Sequence, residues 1–220
     1  MAPPPSRRGT RRRARPRRLV AAPTSSLVEA VARACASLEA LDAPFALVGG
    51  LAVSARAEPR LTRDIDVALA CAPDQEDSIV SALGAQGYRV SMILEQSRAG
   101  RLATVRLAET RSAVLLDLLF ASSGIEPEIV AAAEPLEILG GLTVPVARIG
   151  HLIAMKVLAA DARTRPQDFD DIRALITVAS AAELRRVPPA LRLIEKRGFA
   201  RRRDLIAAWR KARASAKPGR

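Results

Sequence analysis

Aromatic residues are scarce in this chain: among 220 residues there are four Phe, one Trp and one Tyr, scattered along its length. Single-stranded nucleic acid held without sequence preference needs bases stacked on aromatic rings, so a stacking platform is not expected. Histidine is scarcer still. His151 is the only one, at an expected helix start beside an apolar stretch, where it reads as structural; a Ser-His-Asp triad is left without its base. The two cysteines, Cys35 and Cys71, belong to no CxxC and to no Cys/His cluster. That excludes a zinc site of the usual spacing and suits a reducing cytoplasm, with a Cys35–Cys71 disulfide as the weaker alternative. No apolar run approaches the ~20 residues that a membrane span requires, so no membrane association is expected.

Acidic residues are missing from one end and nearly so from the other. Residues 1–18 carry +8, residues 19–184 carry −7 and residues 185–220 carry +11. Positive ends around an acidic centre suit a polyanionic partner such as RNA. Arginine runs are also common in solvated tails, and that alternative stays open. Residues 1–24 resemble a transit peptide in composition, but Pro3, Pro4, Pro5 and Pro16 oppose an amphipathic helix and no apolar signal segment follows. They are read as a disordered basic tail, and 215–220 as a second short tail.

The most informative stretch is FALVGGLAVSARAEPRLTRDIDVAL, residues 45–69. An apolar strand ends at Gly49-Gly50, a short helix follows, and the next apolar strand carries two aspartates two residues apart. Residues i and i+2 of a strand share a face, so Asp64 and Asp66 present their carboxylates together while Ile65, Val67 and Leu69 turn to the core. Adjacent hard oxygen ligands suit magnesium. Glycines without a Cβ let backbone N–H groups approach a phosphate at the start of a helix. A third acid, Asp117, interrupts AVLLDLLF (113–120), where an ionised carboxylate costs several kcal/mol unless it is paired or on a metal. Lys156, one of four lysines, sits in an apolar helical stretch, where it either reaches a triphosphate or snorkels to solvent. Arg165, Asp168 and Asp171 open the next helix, a place where acids also serve as ordinary caps.

The remaining pattern divides the chain. Expected helices at 24–43, 51–57, 73–87 and 125–133 alternate with strands at 45–48, 62–70, 88–94, 101–108 and 113–120. Leu136 to Val146 reads as a hairpin turning on Gly140-Gly141. From 150 onward only helices are expected: 151–160, 167–179, 182–186, 189–197 and 201–214, with Arg201, Arg202 and Arg203 on the last. The expected organisation is a sheet-based domain at 25–148 and a helical domain at 149–214.

With these residues in place, the order Gly-Gly, then R-x-T-x-D-x-D (Arg60, Thr62, Asp64, Asp66), then Asp117 resembles the nucleotidyltransferase superfamily. HLIAMKVLAA (151–160) and RTRPQDFDDI (163–172) are similar to the L-I-A-x-K-x-x-A and R-x-K-D-x-x-D-I elements of its AbiEii/AbiGii toxin-like branch. The resemblance spans about 25–200 and departs at Gly50, commonly Ser, and at Gln167, commonly Lys; the first loses a hydroxyl and the second a charge. It implies an α+β fold, a catalytic palm of mixed sheet flanked by helices with a helical half behind it. It further implies transfer of NMP from an NTP with release of pyrophosphate. Two Mg²⁺ ions are expected on Asp64, Asp66 and Asp117. Gly49, Gly50, Thr62, Lys156 and Asp168 are expected to hold the nucleotide. A toxin of this branch is expected to act in the cytoplasm on RNA such as tRNA and to be restrained by an antitoxin. The alternatives are transfer to a protein or antibiotic hydroxyl, and a non-catalytic RNA-binding protein on the same scaffold.

Overall fold

A computed structural model describes residues 24–59, 62–96 and 101–216. Arg60 and nearly all of the expected N-terminal tail lie outside them. Among the described residues seven strands form one mixed sheet in the order β3-β4-β5-β2-β1-β7-β6. They are β1 (Phe45–Val48), β2 (Asp64–Leu69), β3 (Tyr88–Gln96), β4 (Arg101–Glu109), β5 (Leu115–Leu119), β6 (Glu134–Glu137) and β7 (Thr143–Val146). The helices are α1 (Thr24–Glu39), α2 (Gly49–Arg56), α3 (Glu76–Ala85), α4 (Glu126–Ala131), α5 (Ile149–Ala159), α6 (Gln167–Val178), α7 (Ala181–Lys196) and α8 (Leu205–Ser215). The protein is an α+β palm followed by an all-helical stretch.

β2 lies at the centre because it can be covered on one face and chemically used on the other. Ile65, Val67, Ala68 and Leu69 are buried in the core, whereas Asp64 and Asp66 are only half-buried. β2 runs antiparallel to β1 and parallel to β5, so its two neighbours lock its register from both sides. α5 packs against α7, α6 and α2, bringing the helical stretch onto the same core. Gly150 permits the close α5–α7 contact, since a Cβ there would lie 2.7 Å from both the Glu183 carbonyl oxygen and Arg186 Cβ. The Glu183 carboxylate ties this junction by accepting from Gly150 N–H (2.9 Å) and Arg148 (3.0 Å).

Three local expectations are corrected. The break at Pro188-Pro189 does not occur: α7 runs through both prolines. Its buried residues Val187, Ala190, Leu191 and Ile194 form one continuous i, i+3, i+4, i+7 face, so core packing overrides the missing N–H donors. Arg201, Arg202 and Arg203 are not helical. They lie in the α7–α8 loop, where Arg201 and Arg202 have φ of 52° and 61°, and Asp204 starts α8 by accepting from Ala207 N–H at 2.8 Å. The β6–β7 hairpin exists, but its connection is a five-residue loop (138–142) closed by Ile138 N–H to Leu142 O at 2.8 Å. Cys35 and Cys71 are free thiols. Among the described residues no helix is long and apolar enough to cross a membrane.

Candidate active site

Strand register assembles the acidic floor. Asp66 of β2 stands opposite Asp117 of β5, and Asp117 stands opposite Arg106 of β4. Cross-strand partners project from the same face, so Asp64, Asp66, Asp117 and Arg106 form one polar patch. Arg106 forks onto Asp117, with Nε donating to Oδ1 at 2.7 Å and a terminal nitrogen to Oδ2 at 2.6 Å. The same terminal nitrogen lies 3.8 Å from Asp64 Oδ2. These bonds hold the guanidinium further above its ordinary pKa, chiefly through the hydrogen bonds to Asp117.

Gly49 and Gly50 form the other wall. Gly49 has φ of 62°, a left-handed conformation that favours glycine, and it opens α2 directly after β1. The Gly50 N–H is directed at the Asp66 carboxylate. Asp66 keeps some exposed surface but is surrounded by protein at the floor. Burial first, and the Asp117 charge second, push its carboxyl up to about 6, while Lys156 and the Gly50 N–H partly offset the rise.

Lys156 does not snorkel. It is 7% exposed, and Nζ lies 2.7 Å from Asp168 Oδ1 and 2.7 Å from Asp171 Oδ2. Arg165 Nε lies 3.0 Å from Asp168 Oδ2, so four charged groups join α5 to the start of α6. The ammonium donates to Asp168 Oδ1 and is ion-paired with Asp171, and with three donors it keeps capacity for another acceptor. Thr62 donates a long hydrogen bond from Oγ1 to the Asp64 carbonyl oxygen at 3.5 Å.

All the expected site residues line one cleft of about 780 Å³: Gly49, Gly50, Thr62, Asp64, Asp66, Asp117, Lys156 and Asp168. That volume lies within the range of small-molecule sites. His151 is not among its lining residues. Met92 and Leu94 of the edge strand add an apolar side, and Arg165 and Arg201 stand at the helical side. Sequence reasoning missed Arg106, though a signal existed. Counting outward from the turn at 110–113 pairs Glu109 with Val114 and, three steps further, Arg106 with Asp117.

The donor set fits a divalent cation in chemistry: hard oxygen ligands on a rigid sheet, with a carboxylate wedged where a glycine leaves room. It is not a preformed cage. Among the described residues no three potential ligands already converge as a metal cluster, and both Asp117 oxygens face Arg106.

A mixed-sheet palm carrying acids on two neighbouring central strands beside a glycine turn defines the class as nucleotidyltransferase. The chain belongs to the AbiEii family, described as the nucleotidyl transferase AbiEii toxin of a type IV toxin–antitoxin system, whose family model matches residues 31–217. The solution structure of the antibiotic-resistance factor ANT(2″)-Ia is similar over 87% of this chain and 99% of its own, with a TM-score of 0.56 and 15% identity. The complex of ANT(2″)-Ia with adenylyl-2″-tobramycin covers 77% and 97%, at TM-score 0.50 and 18% identity. An antigenic nucleotidyltransferase-like protein from Paracoccidioides brasiliensis covers 85% and 93%, at TM-score 0.49 and 19% identity. The likenesses to ANT(2″)-Ia concern the fold. No curated protein matches the chain in sequence.

Proposed function

We propose that the protein transfers NMP from an NTP to RNA, a tRNA in particular, as the toxin of a toxin–antitoxin pair. The observation that carries the transfer chemistry is the shared face of Asp64, Asp66 and Asp117 in a cleft that also holds Gly49 and Lys156. Asp64, Asp66 and Asp117 would hold two Mg²⁺ ions, which when bound supply charge neutralisation at the triphosphate and a lowered pKa at the attacking hydroxyl. Gly49 leaves Asp66 in place, and the α2 N-terminus offers a favourable field to phosphate. Lys156, braced by Asp168 and Asp171, would direct an N–H to the β- or γ-phosphate. Thr62 and Asp168 would complete the nucleotide site. The acceptor oxygen attacks the α-phosphorus, its proton passes to an oxygen of Asp117 or to solvent, and the bond to pyrophosphate breaks.

Charge supports an RNA acceptor. The cleft is acidic at its floor, but Arg165 and Arg201 stand on its helical side and residues 185–220 carry +11. A cationic drug would meet repulsion there; an RNA backbone would be attracted. The test is incubation with each labelled NTP, Mg²⁺ and separate pools of total RNA, total protein and aminoglycoside. Label is expected in RNA and should vanish in the Asp64→Ala/Asp66→Ala double variant. Full incorporation by that variant would falsify the mechanism, and label in protein or drug alone would replace the acceptor.

A further inference from the structure

The floor of the cleft carries three acids, and among the described residues Arg106 is the cation paired directly with them. Lys156, the next cation of the cleft, is engaged by Asp168 and Asp171. Arg106 places one N–H on each oxygen of Asp117, so a divalent cation on that carboxylate has to share it with a guanidinium and meet its positive charge at close range. Its side chain is 33% exposed and lines the cleft, which leaves it room to swing on a long stem while its Cα stays in register on β4. A guanidinium drawn from a carboxylate into a cleft needs another anion, and its planar fork suits a phosphate as well as a carboxylate.

We propose that Arg106 is a positioning residue that competes by charge with divalent metal for Asp117 in the nucleotide-free enzyme and is handed from Asp117 to the incoming triphosphate. Metal and nucleotide then bind cooperatively, and the enzyme does not assemble its reactive carboxylates without substrate. Once transferred, the fork adds positive charge beside the phosphates. The inference rests on the metal reading of Asp64, Asp66 and Asp117.

The experiment is a Mn²⁺ titration followed by the EPR signal of the free ion. It uses wild type, Arg106→Gln, Arg106→Lys and Asp66→Asn, each with and without an equimolar mixture of the four α,β-methylene NTP analogues. Wild type should bind Mn²⁺ weakly alone and about 10-fold or more tightly with the analogues, within the usual span of coupling between two sites. Arg106→Gln should bind Mn²⁺ alone about 10-fold more tightly than wild type and lose most of that coupling. Arg106→Lys, which keeps the charge and loses the fork, should fall between the two and serves if the Gln variant does not fold. Equal Mn²⁺ affinity in wild type and in the folded Arg106 variants, or undiminished coupling, overturns the proposal while a defect in Asp66→Asn upholds the metal site. Absence of Mn²⁺ binding in every protein and condition overturns both.

Discussion

Gly49 and Asp66 compete for one space. A Cβ on Gly49 would lie 1.9 Å from Asp66 Oδ2 and 2.4 Å from its Cγ, so the turn and the carboxylate fit only because that atom is missing. Either Asp66 moves or the turn does. The glycine therefore matters here for what it leaves to the carboxylate as well as for its backbone conformation.

Gly49→Ala should consequently damage chemistry more than folding. The left-handed conformation alone costs about 1–2 kcal/mol for alanine, and displacement of Asp66 should lower NMP transfer at least ~100-fold, the scale of losing a transition-state clamp. Gly84→Ala is the control. No atom lies within 4 Å of the added Cβ and the site is inside α3, so it should stabilise the protein by about 0.5–1 kcal/mol with transfer unchanged. Thermal melts and transfer assays on the pair separate the two effects; equal transfer by both variants would remove Gly49 from the site.

Asp66 should make the metal-free protein less stable as pH rises. Its folded pKa, about 6, lies above the ordinary aspartate value, so its contribution is fully present below pH ~4 and is lost as pH climbs through 6. Asp66→Asn should flatten that part of the stability profile in EDTA and raise the melting temperature at pH 7.5, while abolishing transfer. Metal binding to the wild type should weaken below pH 6 as the proton competes. A pH 4–7 stability profile identical in wild type and Asp66→Asn would show that the carboxyl is not perturbed.

Lys156 is now expected to affect stability and nucleotide binding together. Removing the ammonium leaves Asp168 and Asp171 buried without it, and breaking such a pair typically costs about 3–5 kcal/mol. Lys156→Met should melt several degrees lower, and adding Asp168→Asn should restore part of the loss. A melting temperature matching wild type would mean that the buried cluster contributes nothing to the fold.

The acceptor surface can be probed without disturbing the core. Arg203 is a poor probe because it donates to the Leu158 carbonyl oxygen at 2.8 Å and so braces α5. Arg201 and Arg202 are exposed. Their joint change to Gln should leave the melting temperature within a degree or two and reduce the slope of log K against log salt for RNA binding by about 1.4 to 1.8 if both meet phosphates. An unchanged slope would place the RNA elsewhere.

Much of this protein was legible from residue order. The Gly-Gly turn, the alternation of acids with apolar residues in β2 and the interruption of β5 by Asp117 follow from the two-residue period of a strand and from the cost of burying charge. These are local rules, and the sequence carries them without help. The Arg106–Asp117 pairing could be counted from the β4–β5 turn, but other meetings were decided by tertiary structure alone. Lys156 lies between Asp168 and Asp171 because α5 packs on α6, and α7 runs through Pro188 and Pro189 because one buried face spans them. Side-chain pairing between packed helices depends on distances that no local pattern encodes, and packing energy summed over a buried face exceeds the preference of any single residue on it.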